Sequence, residues 1–374
     1  MVTRARREFE RRFGEPPTHL VRSPGRVNLL GEHTDYNQGF VLPMAIDRGV
    51  KLVFRPSEDR CVTAHSLAVE DPVEIDLRRL THGGPAWGEY LRGAAWTLAE
   101  EGLRPAGWRG VFTSDLPFGA GLSSSAALEL AAAAAYAVAG ALAWDPVAMA
   151  KRSQRAEREW VGVECGVMDP LVSALAVPGC ALLIDCRSLA TEAVPLPEEF
   201  VAIVLDTGTR RDLSSSAYNT RRRECEEAAQ ALGAGTLREV TLAQVERLEG
   251  IPRRRARHVV LENRRVQQAA EALRKGDGAA LGRLMSFSHE SLRDDFEVST
   301  PALDAMAKVA VEQVGCVGAR MTGAGFGGCA VAWVEREAAS DFTREVLRRY
   351  HEETGLTAEA YGCRPVGGTE LRVL

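Results

Sequence analysis

Pro117-Phe-Gly-Ala-Gly-Leu-Ser-Ser-Ser-Ala-Ala127 joins a β-like run, Gly110 to Thr113, to a long Ala-rich helical stretch, Ser124 to Ala143. Gly119 and Gly121 permit close backbone approach. Ser123, Ser124 and Ser125 supply an N-cap and free amides at the positive end of the helix dipole. The junction reads as an anion cradle. A plain capped helix is the alternative, but two glycines plus three consecutive serines exceed what capping needs. No Gly-Lys-Ser or Gly-Lys-Thr follows the loop, so the Walker pattern is absent. The lysines are Lys51, Lys151, Lys275 and Lys308, none in a Gly-rich loop. Nucleotide charge must then be offset by backbone amides, a hydroxyl-ligated Mg2+ and arginine.

Outward from this junction, Val50 to Phe54, Cys61 to Ala64, Cys180 to Asp185 and Val201 to Asp206 are rich in β-branched and apolar residues and read as strands. Between them, Glu89 to Glu101 and Pro146 to Glu159 carry helical spacing, and Ala5 to Arg12 reads as a surface helix. The second half repeats the mixture. Helices are expected over Tyr218 to Leu232, Leu242 to Leu248, Ala256 to Lys275, Ala279 to Phe287 and Ser340 to Glu353, with a strand over Cys329 to Val334. This is an α+β chain with a domain boundary at residues 190–205, giving domains over 1–195 and 196–374.

The 374 residues, 45% hydrophobic, suffice for two or three domains with substantial cores. A net charge of -5 argues against general nucleic-acid binding, and the triplets Arg221 to Arg223 and Arg253 to Arg255 read as solvated helix faces. The apolar run Leu130 to Trp144 is shorter than the roughly 18 residues a membrane span needs. The N-terminal segment lacks the apolar core of a leader. The eight cysteines form no Cys-x-x-Cys pair and no His-Glu-x-x-His occurs, so neither a zinc site nor a redox dithiol is signalled. Reduced thiols in a cytoplasm are expected, with Cys165 a packing residue.

Three further stretches carry chemistry. Arg22-Ser-Pro-Gly-Arg-Val-Asn-Leu-Leu-Gly-Glu-His-Thr-Asp-Tyr36 concentrates Arg26, Glu32, His33 and Asp35. Donors, acceptors and a fixed cation at this density suit a hydroxyl-rich small molecule; the alternative is a polar turn between two strands. In Gly162-Val-Glu-Cys-Gly-Val-Met-Asp169, Asp169 reads as a helix cap or, paired with Arg26, as the carboxylate that orients a hydroxyl for phosphoryl transfer. Gly323-Ala-Gly-Phe-Gly-Gly328 satisfies Gly-x-Gly-x-x-Gly, but a strand rather than a helix follows, so a tight turn beside a ligand outranks a dinucleotide site.

Together these residues resemble the galactokinases of the sugar, homoserine, mevalonate and phosphomevalonate kinase superfamily. Pro24-Gly-Arg-Val-Asn-Leu-Leu-Gly-Glu-His-Thr-Asp-Tyr-Asn-Gln-Gly39 is similar to the galactokinase signature, Gly121 to Ala127 to the superfamily's ATP-binding motif, and Gly323 to Gly328 to its third glycine motif. Leu182 to Ser188, Ala217 to Glu226 and Ser291 to Asp295 extend the resemblance along the chain.

The resemblance implies an N-terminal ribosomal S5 domain 2-like domain and a C-terminal ferredoxin-like domain, with the active site in the cleft between them. It implies phosphorylation of α-D-galactose at the C1 hydroxyl by ATP. Asp169 and Arg26 would be the catalytic pair. Glu32, His33, Asp35, Gly166 and Tyr218, with Asp169, would hold the sugar. Gly119, Gly121, Leu122, Ser123, Ser124, Ser125 and Ala126 would hold the nucleotide, with Trp87 near adenine, and Ser125 and Glu157 would hold Mg2+. Two positions depart from the pattern: Pro170 follows Asp169 where the family usually has Gln, and Glu89 stands where Asn is common. Pro170 keeps open another sugar 1-kinase, acting on arabinose, N-acetylgalactosamine or a uronic acid. A non-catalytic galactose sensor is a third reading, disfavoured by the complete serine motif. Neither nucleic acid, membrane nor an obligate protein partner is expected.

Overall fold

The computed structural model describes residues 1–117, 119, 121–210 and 214–374. In the N-terminal half, α1 (Val2–Phe13) precedes β1 (His19–Leu30), β2 (Phe40–Pro56), β3 (Cys61–Ser66) and β4 (Val73–Asp76). Then come α2 (Trp87–Glu100), β5 (Trp108–Ser114), α3 (Ser124–Ala139), α4 (Pro146–Arg155), α5 (Met168–Leu175), β6 (Cys180–Asp185) and β7 (Thr191–Pro195). The second half runs β8 (Phe200–Asp206), α6 (Ser214–Ala231), α7 (Leu242–Val245), α8 (Gly250–Arg274), α9 (Gly278–Asp294), α10 (Pro301–Val311), β9 (Cys316–Met321) and β10 (Cys329–Glu335). It ends with α11 (Ala339–Thr354), β11 (Glu359–Cys363) and β12 (Glu370–Val373).

The first sheet is 8-stranded, ordered β12-β1-β2-β5-β3-β4, with β6 and β7 continuing from the far end of β2. The stretch around Arg26 is not a turn but the second half of β1. It tolerates Pro24 because β12 pairs only with His19 to Arg22, and because the register with β2 shifts between Pro24 and Arg26. Past that point the loop before α3 occupies the free edge, and the Arg26 amide donates to the Leu122 carbonyl at 3.2 Å. Gly25 permits this approach: a Cβ there would lie 2.6 Å from the Leu122 oxygen.

Helix α3 is apolar nearly all round, as a helix enclosed by other elements must be, and Leu130 through Tyr136 are buried. The surface helix expected at Ala5 to Arg12 is anchored by Ala5 and Phe9, which pack on Leu20, Val53 and Val111.

The second sheet, ordered β11-β8-β10-β9, is antiparallel throughout. With helices α6 to α10 between β8 and β9, and α11 between β10 and β11, it has the β-α-β-β-α-β order of a ferredoxin-like domain. Along β8 the faces alternate. Ile203 and Leu205 face a core of the second half that includes Val259, Leu292 and Phe296. Ala202 and Val204 join the core that also contains Val41, Leu171 and Val266, so packed apolar side chains continue from one half into the other.

The chain does not stay in its second half after β8. After β11 the chain returns to the first half, where Ile46 and Pro365 form a bridge and β12 adds to β1. Pairing satisfies backbone groups that an edge strand would otherwise leave open.

Candidate active site

A cavity of about 640 Å³ opens between the halves, lined on one side by residues of β1, the serine loop and the 162–169 segment and on the other by Arg210, Tyr218, Asn219 and Ala324. Arg26, 5% exposed, projects from the bulged part of β1. Its Nε and Nη2 donate to the two carboxylate oxygens of Asp169, each at 2.8 Å, and its Nη1 donates to the Gly121 carbonyl at 2.6 Å. This fork-to-fork geometry fixes both side chains. Asp169 lies in the first turn of α5, where the helix dipole favours a negative charge.

The serine loop runs through left-handed backbone at Gly119, Gly121 and Ser123, with φ of 68°, 79° and 60°. Ser123 occupies the N-cap position of α3, yet its hydroxyl donates to Asp169 Oδ2 at 2.5 Å and makes no capping bond. The capping role expected of Ser123 is therefore corrected: the hydroxyl serves the carboxylate, and no side chain caps the first-turn amides. Leu122 and Ala126 are buried beneath the loop, while Phe118 and Ala120 lie outside the described residues.

Helix α4 was expected to continue to Glu159 but passes into a π-helical turn over Ala156–Val161. Glu157 lies in that turn, buried, with the Ser125 hydroxyl and the Cys165 thiol beside its carboxylate. Burial raises the Glu157 carboxyl above its usual range. Burial likewise raises the Cys165 thiol, which keeps it protonated and non-nucleophilic.

No cluster of three or more His, Cys, Asp or Glu side chains suited to a metal exists among the described residues. One buried carboxylate, Glu157, beside one hydroxyl, Ser125, nevertheless fits Mg2+, which keeps several waters and takes its remaining ligands from phosphates.

The polar groups of the signature converge on the other end of the cavity. Asp35 begins a 3-10 turn, and its Oδ1 accepts the Tyr36 amide at 2.9 Å. Burial, reinforced by the Asp169 charge, pushes its carboxyl up to about 7. Gly166 seats this carboxylate, since a Cβ at 166 would fall 1.5 Å from Asp35 Oδ2. His33 Nε2 donates to the Ala324 carbonyl at 3.1 Å, which makes Nδ1 the acceptor of the Tyr36 hydroxyl at 3.0 Å. Burial holds the imidazole neutral, down to about 3. Tyr218 from α6 packs its ring on His33 and Tyr36, with centroids 5.7 and 5.4 Å apart.

Glu32 lines the cavity, but its oxygens are engaged: Oε2 accepts from Asn28 at 2.7 Å and Oε1 from the Gly323 amide at 2.6 Å. Arg320 Nη2 stands 3.4 Å from Glu32 and its Nη1 3.9 Å from Glu262, which in turn takes Arg265 at 2.6 Å. These two acids and two bases form a buried, charge-balanced quartet joining β1 to β9 and α8. Gly323 to Gly328 links two strands and so lacks the helix a dinucleotide site requires.

Trp87 stands apart from this cavity. Its Nε1 donates to the Asp71 carbonyl at 3.1 Å and its ring meets Phe112 edge-on at 5.8 Å. Nearby, Glu89 ties the Gly83 amide and the Trp160 indole to α2. Sequence reasoning did not single out Arg210, Asn219 or Glu164 as cavity residues, nor Arg320 and Glu262 as a pair. An isolated polar residue on a helix or strand gives no periodic or motif signal.

Three matches to known families follow the same order as the site. The galactokinase galactose-binding signature covers residues 7–56, the N-terminal domain of the GHMP kinases residues 89–176, and their C-terminal domain residues 269–352. The chain is 45% identical to a galactokinase of Roseiflexus sp. (strain RS-1), over 97% of this chain and 95% of that one. It is 42% identical to a galactokinase of Chloroflexus aggregans, over 96% and 95%. Its fold superposes on Lactococcus lactis galactokinase complexed with galactose with a TM-score of 0.94, at 32% identity and 99% coverage of both chains. A mevalonate kinase shares the fold alone, with a TM-score of 0.67 at 19% identity, over 92% of this chain and 98% of that one. The chain belongs to the galactokinase family.

Proposed function

We propose that this protein transfers the γ-phosphoryl group of ATP to the C1 hydroxyl of α-D-galactose, giving galactose 1-phosphate and ADP. The observation that carries the reading is the Arg26–Asp169 pair, with both carboxylate oxygens held at 2.8 Å between the sugar-side cluster and the serine loop. Phosphoryl transfer passes through a loose transition state, so catalysis rests on positioning and charge stabilisation more than on early proton removal. Asp169 receives the sugar hydroxyl, orients it in line and takes its proton as the new P–O bond forms. Arg26 fixes the orientation of that carboxylate through its two donated hydrogen bonds and faces the charge that develops on the transferring group.

The amides of Gly121 to Ala126 cradle the phosphates. Asp35, His33, Glu32, Tyr218 and the Gly166 backbone supply the walls and the hydrogen-bonding edges for the sugar. Glu157 and Ser125 would hold Mg2+, which would supply charge neutralisation for the phosphates. Pro170 disturbs none of this framework: it is the third residue of α5, where the N–H has no intrahelical acceptor to lose.

No helix among the described residues is long and apolar enough to cross a membrane. No disulfide joins cysteines among the described residues, which supports a reducing, cytoplasmic setting.

The test is turnover with ATP and Mg2+ on a panel of galactose, glucose, arabinose, N-acetylgalactosamine and glucuronate, with the product identified by NMR. Galactose 1-phosphate is the expected dominant product, and Asp169→Ala should abolish it while leaving the fold intact. Preference for another sugar would overturn the galactose assignment, and sugar and ATP binding without turnover would overturn the enzyme.

A further inference from the structure

The turn between the Glu157 π-helix and the Asp169 helix, residues 162–166, carries one charged side chain, Glu164, and that side chain lines the cavity mouth. Two guanidinium groups reach its Oε2. Arg158 Nε, from the preceding π-helical turn, stands 3.4 Å away, and Arg222 Nη1, from α6 in the other half, pairs with the same oxygen. Arg222 also holds Glu226 at 3.1 Å, so a chain of alternating charge runs Arg158–Glu164–Arg222–Glu226 across the mouth.

The positions at its two ends matter. Glu164 is two residues before Gly166, which seats Asp35, and Arg222 is one helical turn after Tyr218, on the same helix face. The two walls of the sugar pocket are therefore joined by an ion pair between the 162–166 turn and α6. Resting on the sugar site as assigned above, we infer that Glu164 and Arg222 are positioning residues, an ionic strap that holds Tyr218 against the Gly166 turn and so sets the affinity for the sugar.

Both side chains are partly open to solvent, at 41% and 30% exposure, so salt screens their attraction. Galactose carries no charge. Its KM has no reason of its own to depend on ionic strength, and a salt-dependent galactose KM would report the strap.

The experiment compares the full-length protein with Glu164→Gln, with Arg222→Gln and with the double variant Glu164→Gln/Arg222→Gln. In wild type, raising NaCl from roughly 50 to about 500 mM should raise the galactose KM by about two- to fivefold with kcat unchanged, the range open to an exposed ion pair. Glu164→Gln should show the high-salt KM at every salt concentration. The double variant should show the same KM as Glu164→Gln alone, the non-additivity that one shared ion pair requires and that two independent structural roles would not give. A Glu164→Gln variant with the wild-type KM and the wild-type salt response overturns the inference.

Hydrogen exchange of the ligand-free protein keeps this separable from the functional reading. Amides at 162–166 should exchange faster in Glu164→Gln than in wild type at low salt. Equal exchange rates overturn the strap whatever the substrate proves to be, whereas absence of turnover in wild type would overturn only the assigned reaction.

Discussion

Replacing Asp35 by Asn should make the empty protein more stable, and by an amount that depends on pH. The Asp35 carboxyl rises from an ordinary 3.8 to about 7, first because burial disfavours its charge and second because Asp169 is close. The folded state thus binds a proton that the unfolded chain releases. Stability is lost as pH climbs from about 4 to about 7, and the full penalty persists above that window. Roughly three units at 1.36 kcal/mol each give about 4 kcal/mol. The side chain is only half-buried, and solvent screening reduces this to about 2 kcal/mol. Asn keeps the acceptor for the Tyr36 amide and never ionises. Equilibrium urea unfolding without sugar or nucleotide, from about pH 5 to about pH 8, should show the Asn variant gaining on wild type up to about pH 7 and level thereafter. A pH-independent difference, or a variant less stable than wild type at the upper end, would refute the assignment of strain to this carboxylate.

Gly166→Ala places a Cβ 1.5 Å from Asp35 Oδ2 and must displace it, so kcat/KM for galactose should fall by about 10²-fold, read by steady-state kinetics. Glu157→Gln should raise the Mg2+ concentration for half-maximal turnover by about tenfold or more, and an unchanged Mg2+ titration would remove Glu157 from the metal site. Arg320→Met leaves Glu32 and Glu262 with Arg265 as their remaining partner in the quartet and should cost about 3–5 kcal/mol, seen as a lower melting temperature with or without substrate.

What the sequence conveyed depended on the range of the signal. The serine loop was legible because its parts are contiguous: Gly121, Ser123 and the start of α3 lie within a few residues of one another. Strand β1 was obscured because Pro24 and Gly25 read as breakers, and nothing local reveals that β12 stops at Arg22 and leaves room for a bulge. Strand β12 was missed because it is only four residues long, too short for the alternation of Glu370, Leu371, Arg372 and Val373 to stand out. The π-helical turn at Ala156–Val161 has the composition of the helix it interrupts. The sugar-side residues of the signature were visible as a dense polar run, but their division of labour was not. Glu32 and His33 spend their polar atoms on Gly323 and Ala324, almost 300 positions away, and such pairings exist only once both sheets are in place.

The return of β12 to β1 gives the chain an order of assembly. The first sheet cannot close until β12 leaves the ribosome, and at about 5–20 residues per second the stretch from β8 to β12 takes roughly 10–40 s to make. For that interval the edge of β1 that ends in His19 to Arg22 stands open, next to the strand segment bearing Arg26. A newly made chain therefore gains its full first sheet only once β12 has been made, and a nonsense mutation just before Glu370 would leave the edge of β1 open.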